Sequence, residues 1–273
     1  MIITPKVVLL NFPKTGSTFA RAALKKIHKI NTPLKSYLLS KLGLKVNGMR
    51  EIIGVSNQSV YQFSQEMRGQ HSTYSQIPDK YQDLPVVSII RNPFERYVSL
   101  YEYRWWKNYP LYAENPEILQ KFPTFPEISF KQYMEMTSCF GKSDFVPKDV
   151  DLKVDVGLYS LQFLRFFHPS PDEIIQKLTD EYLESQTYRD ELGSVTFLHT
   201  ENLTSELMDF LTMVGYSPEE SQLVKRLERQ NVNRGNWQFP DGINQYYDDQ
   251  LIKRVIFIDR IIFNLFPEYL DRV

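Results

Sequence analysis

The sequence predicts an α/β fold with a central, mostly parallel β-sheet flanked by helices. Two observations carry this. The runs VVLL (7–10) and PVVSII (85–90) are short, apolar and followed at once by helical patterning, and SVTFLHTENL (194–203) leads into a helix in the same way. Apolar runs without alternation mark strands buried on both faces, as in parallel sheets, and strand-then-helix units repeated along a chain build such a sheet.

The elements follow in chain order. From Ser17 the pattern turns helical, with Phe19, Ala22, Ala23 and Leu24 ahead of Lys25 and Lys26 in the last turn. Residues 31–83 are mixed and rich in Gln and Ser; EIIGV (51–55) is compatible with a strand. After PVVSII, Asn92 suits an N-cap, Pro93 the first helical position and Glu95 the acid of a capping box. The helix predicted over 170–185 starts alike, with Ser170, Pro171 and Glu173. A helix over 204–214 is stopped by Gly215, the one over 217–230 repeats the Ser-Pro-x-Glu start, and a long terminal helix over 245–266 ends before Pro267. The Pro-rich segments 110–126 and 146–171 read as surface excursions, not linkers, so the chain reads as one domain over 1–273.

Composition excludes several classes. A net charge of −1 rules out a general nucleic-acid binder, so any anion affinity must come from a local cluster. Aromatic residues reach 14%, enough for a large core, a ring-lined groove, or both. Cys139 is the one cysteine and cannot form an internal disulfide; it reads as an inert, half-buried thiol, and a cytoplasmic location is expected. The first residues lack the pattern of a secretion signal. The most apolar run, VIFIDRIIFNLF (255–266), is broken by Asp259 and Arg260, so no membrane span is expected. The oligomeric state is not legible.

The chemistry begins at KVVLLNFPKTGSTF (6–19). A phosphate-binding P-loop reads G-x-x-x-x-G-K-[ST] between a strand and a helix. Laid on this chain, Asn11 replaces the first glycine, Gly16 matches the second, Ser17 stands in place of the lysine and Thr18 matches the hydroxyl. A lysine occurs instead inside the loop, at Lys14. Helix-start amides and the helix dipole still favour an anion, and Gly16 allows close backbone approach. The metal chemistry is missing: nucleoside triphosphate sites hold Mg²⁺ partly through an acid near the end of a neighbouring strand, whereas PVVSII ends in Arg91. The pattern therefore suits a metal-free polyanion with two separated anionic groups, one on Lys14–Thr18 and one near Arg91, with Ser99 two turns into the next helix.

FPKTGSTF resembles the 5′-phosphosulfate loop of sulfotransferases, and SIIRNPFERYVSLY resembles their 3′-phosphate motif. The likeness is closer to the carbohydrate-type and bacterial enzymes than to the cytosolic steroid and phenol enzymes, which carry Trp where this chain has Phe19. FLHTENLTSELMDFLTMVGY (197–216) and NRGNW (233–237) are similar to a later strand–turn–helix and to a late basic loop that closes over the nucleotide. The resemblance implies a P-loop-like three-layer fold and metal-independent, in-line transfer of a sulfonate group from 3′-phosphoadenosine 5′-phosphosulfate (PAPS), leaving PAP, to a hydroxyl or amine on a carbohydrate or small molecule. It implies that Lys14 offsets charge on the leaving phosphate, that Thr15, Gly16, Ser17 and Thr18 hold the 5′-phosphate through amides and hydroxyls, that Arg91 and Ser99 hold the 3′-phosphate, and that Arg234 and Gly235 close over the nucleotide. Arg96 reads as a helix-face charge.

A base must take the acceptor proton. His28 is expected on the solvated side of the first helix, His168 in a loop before Pro169, and His199 at a strand end. His71, in the irregular stretch MRGQHSTYSQIP, is the favoured base, with Glu66 as the alternative. YEYRWWKNYPLY (101–112) reads mainly as a helix end packed under a loop, with Tyr103 and Trp106 as candidates for an acceptor wall. Two other readings compete: a P-loop nucleotide or small-molecule kinase, separable by metal dependence, and a non-catalytic PAP-binding module.

Overall fold

The three strand-then-helix units are present in a computed structural model that describes residues 1–28, 50–51, 71–232 and 245–272. Five strands occur among the described residues: β1 (Ile2–Ile3), β2 (Val8–Leu9), β3 (Arg50–Glu51), β4 (Val86–Ile90) and β5 (Thr196–His199). The helices are α1 (Ser17–Ile27), α2 (Pro93–Tyr103), α3 (Pro110–Ala113), α4 (Pro116–Lys121), α5 (Phe130–Phe140), α6 (Leu158–Phe167), α7 (Pro171–Gln176), α8 (Asp180–Ser185), α9 (Tyr188–Glu191), α10 (Leu203–Met213), α11 (Pro218–Val232), α12 (Asp249–Ile258) and α13 (Arg260–Leu265).

The sheet order is β3-β1-β2-β4-β5. β4 pairs in parallel with β2 and β5, while β1 is antiparallel to β2 and β3. Four strands thus share one direction and β1 alone is reversed, which is the mostly parallel sheet the sequence predicts. Every residue of β2 and β4 is buried, as an uninterrupted apolar run requires when both faces are covered in a three-layer fold. Ser88, the polar exception, donates to the Leu10 carbonyl at 3.0 Å. No helix among the described residues is long and apolar enough to cross a membrane.

The chain divides into two compact units, described separately. The first comprises Met1–Ser59, Ser64–Arg91 and Ser194–Gln238, and so holds the sheet, α1, α10 and α11. Its core joins Leu9, Val87, Ile89 and Leu198 of the sheet to Ala20, Ala23 and Leu24 of α1 and to Leu207, Phe210 and Leu211 of α10. Gly215, at φ 87°, ends α10 where the sequence places the stop.

The second unit comprises Val60–Phe63, Asn92–Gly193 and Phe239–Val273. The α2 start is as predicted at Asn92 and Pro93: Asn92 accepts from the Phe94 amide at 2.9 Å, with Pro93 at the first helical position, and Glu95 stands in the first turn. Three expectations are corrected here. The segment 146–171 is no surface excursion. It contains α6, in which Arg165 alone escapes full burial. The terminal helix is not continuous but breaks at Asp259, whose carboxylate accepts from the Tyr97 hydroxyl at 2.7 Å and the Ser160 amide at 2.9 Å. The predicted helix over 170–185 is likewise two helices, α7 and α8.

Candidate active site

Chain direction in the sheet places the candidate loops. β2, β4 and β5 are parallel neighbours, so their C-terminal ends lie along one edge, the position at which α/β sheets bind ligands. The loop after β2, the Arg91 position after β4 and the Thr200 turn after β5 all leave from that edge.

The β2–α1 loop is held by its own side chains. Thr15 Oγ1 and Ser17 Oγ both donate to the Phe12 carbonyl, at 3.0 and 2.8 Å. These hydroxyl protons are therefore used in closing the loop. Among the described residues no acceptor takes the amide protons of Thr15, Gly16, Ser17 and Thr18. Lys14 and Gly16 have positive φ, 65° and 85°, and bracket Thr15. Left-handed residues within a loop gather amides into an anion-binding concavity, and at a helix start the dipole adds to it. Gly16 stands on a backbone that side chains rarely adopt, and a Cβ there would also come within a tight 3.1 Å of Leu203 Cδ2, so the position favours glycine. Lys14 is half-buried and Thr18 exposed. Pro13 has no amide proton, so its burial in the loop leaves no donor unpaired.

His71 lies against this loop. Its Nδ1 is 2.7 Å from the Asn11 carbonyl oxygen. A carbonyl can only accept, so Nδ1 carries the proton and, in the neutral ring, Nε2 carries the lone pair. Asn11 Oδ1 and Ser72 Oγ, each in a side chain about 2% exposed, have no hydrogen-bond partner among the described residues. Arg91 is half-buried and follows β4 directly. The loop, His71 and Arg91 thus belong to the first unit. Ser99 is a half-buried residue of α2, in the second. Glu66, Arg234 and Gly235 lie outside the described residues.

The remaining histidines are occupied. His199 Nδ1 lies 3.2 Å from the Glu206 carboxylate, which also accepts the His199 amide at 2.6 Å. His28 is half-buried, not on a solvated face, with Nε2 3.1 Å from the Tyr216 hydroxyl. His168 is buried and accepts the Ser170 amide at 2.9 Å; burial lowers its pKa, against the opposing pull of Glu191. Trp106 is buried, its Nε1 donating to the Tyr101 carbonyl at 3.0 Å, so it is core; Tyr103 is exposed. Cys139 is exposed rather than half-buried. Arg96 is no surface charge: it is 1% exposed, lies 4.0 Å over the Tyr159 ring and donates to Gln162.

Fold and loop together define a P-loop-like α/β protein with a left-handed, amide-rich turn at the start of α1 and Arg91 beyond the neighbouring strand. The profile described as "Sulfotransferase family" matches residues 2–190, and the chain belongs to that family. It is a transferase of sulfonate groups, and the family implies an acceptor substrate. The match covers the loop, His71, Arg91 and Ser99. No curated protein matches the chain.

Proposed function

We propose that this chain is a PAPS-dependent sulfotransferase acting as one domain over 1–273, with a hydroxyl or amine of a carbohydrate or small molecule as acceptor. The observation that carries the reading is the loop of Lys14–Thr18, with its gathered amides, one parallel strand away from Arg91. Two separate anion-binding groups at one end of the sheet suit a nucleotide bearing a 3′-phosphate and a 5′-phosphosulfate. The orphaned Asn11 Oδ1 and Ser72 Oγ fit a polar ligand at the same edge.

PAPS, when bound, supplies the activated sulfonate group. The chain supplies the rest. The amides of Thr15 to Thr18 bind the 5′ anion, and Lys14 places a positive charge where the leaving phosphate gains negative charge. Arg91, with Ser99, holds the 3′-phosphate by charge-assisted hydrogen bonds. His71, fixed by its Nδ1 bond to Asn11, presents Nε2 to take the acceptor proton. Arg234 and Gly235 are assigned to the closing loop, and Glu66 is the alternative base. A cytoplasmic location goes with this reading, since the single cysteine leaves no disulfide for an oxidising compartment to maintain.

Calorimetry with PAP in the presence of EDTA tests the nucleotide assignment. Binding should persist without Mg²⁺; tight ATP–Mg²⁺ binding with no PAP binding would instead make the chain a kinase-like protein. Arg91→Ala should weaken PAP by about 1–3 kcal/mol, the worth of one charge-assisted contact. Wild-type PAP affinity in Arg91→Ala would move the 3′-phosphate elsewhere.

A further inference from the structure

The turn that follows β5 reaches both anion-binding segments through one side chain. Thr200 Oγ1 stands 2.8 Å from the Thr15 carbonyl oxygen and 2.8 Å from the Ile90 carbonyl oxygen. Its single proton serves both acceptors as a three-centre bond. All three residues belong to the first unit.

The consequence follows from peptide geometry. A peptide unit is planar and trans, so its carbonyl and N–H point in opposite directions. Fixing the Thr15 oxygen toward Thr200 therefore turns the Gly16 N–H away from Thr200. That amide is among those with no acceptor among the described residues. Fixing the Ile90 oxygen sets the Ile90–Arg91 peptide plane in the same way, and with it the departure of Arg91 from β4. The Thr200 methyl also packs close to the loop: a Cβ at Gly16 would lie 3.7 Å from Thr200 Cγ2.

We infer that Thr200 is a positioning residue that sets the Gly16 amide and the Arg91 backbone in register, so that one hydroxyl aligns the two anion sites of the nucleotide. The inference rests on the PAPS reading above, and it assigns Thr200 no contact with the ligand. Valine at this position keeps the shape but removes the donor, setting a methyl group against two carbonyl oxygens. Serine keeps the donor.

The test compares wild type, Thr200→Val and Thr200→Ser by calorimetry with PAP, adenosine 5′-phosphate and adenosine 3′-phosphate, alongside thermal unfolding. Wild type must bind PAP; if it does not, the PAPS reading fails and the Thr200 inference goes with it. Given wild-type binding, Thr200→Val should weaken PAP about tenfold or more, the order expected when two buried carbonyls lose a shared donor. It should weaken both monophosphates, because both peptide planes are released. Thr200→Ser should restore all three affinities to within a few fold of wild type. Equal PAP binding in Thr200→Val overturns the inference, as does a loss confined to one monophosphate. A Thr200→Ser protein that folds like wild type but binds as poorly as Thr200→Val also overturns it, since bulk and not the hydroxyl would then be at work.

Discussion

Replacing His71 with alanine is expected to lower sulfonate-transfer turnover by roughly 10²–10⁴, the usual worth of a positioned proton acceptor. A base works only when unprotonated, so wild-type rates should fall on the acid side and the variant should lose that limb. PAP affinity should change little. The bond from Nδ1 to the Asn11 carbonyl nevertheless ties His71 to the nucleotide loop, so Ala removes a loop support as well as a base. That loss is worth about 0.5–1.5 kcal/mol. His71→Asn separates the two roles. Its amide nitrogen reaches roughly where Nδ1 stands and can still donate to Asn11, but nothing replaces Nε2. If proton transfer is the role, His71→Asn binds PAP like wild type and turns over as poorly as His71→Ala. If His71→Asn turns over like wild type, the imidazole only braces the loop and Glu66 becomes the base to test.

The sequence carries the loop and not the clamp that holds it, and the reason is physical. The Gly16 turn, the Lys14 displacement and the Asn92–Pro93 helix start are local: each depends on φ, a missing amide or a cap within a few residues, and each is where the pattern puts it. Thr200 acts across 185 residues to Thr15 and 110 to Ile90, and a threonine at a strand end carries no signal of that. Arg96 reads as a surface charge because arginine on a helix usually is one; its burial depends on Tyr159 and Gln162 of α6. α6 itself hides because LYSLQFLRFF is apolar on nearly every side, so the two-faced periodicity that reveals a helix is absent. For His71 the sequence supports the choice by elimination, and the bond to Asn11 was outside its reach.

Asp259 provides the largest expected effect on stability. Asp259→Ala should destabilise the protein by about 2–6 kcal/mol, since it leaves the Tyr97 hydroxyl and the Ser160 amide buried without an acceptor, at about 1–3 kcal/mol each. Thermal unfolding should move down by roughly 5–15 °C. The carboxylate also fills the space a side chain at position 157 would need: a Cβ on Gly157 would come within 2.3 Å of Asp259 Oδ1. Removing it therefore loosens the junction of α2, α6 and the α12–α13 break together, and α2 is the helix that carries Ser99. The pH dependence has a definite sign. Burial holds the Asp259 carboxyl above its usual range, outweighing Tyr97, Ser160 and Arg96, which act the other way. An acid raised in the fold contributes stability below its unfolded value near 3.9, and that contribution is lost as pH rises through the folded value. Asp259→Asn keeps an oxygen for the Ser160 amide and does not titrate. Its deficit against wild type, followed by denaturant unfolding from about pH 4 upward, should therefore narrow as the wild-type carboxyl ionises. A deficit that widens with pH would mean that the two donors stabilise the ionised carboxylate by more than burial penalises it.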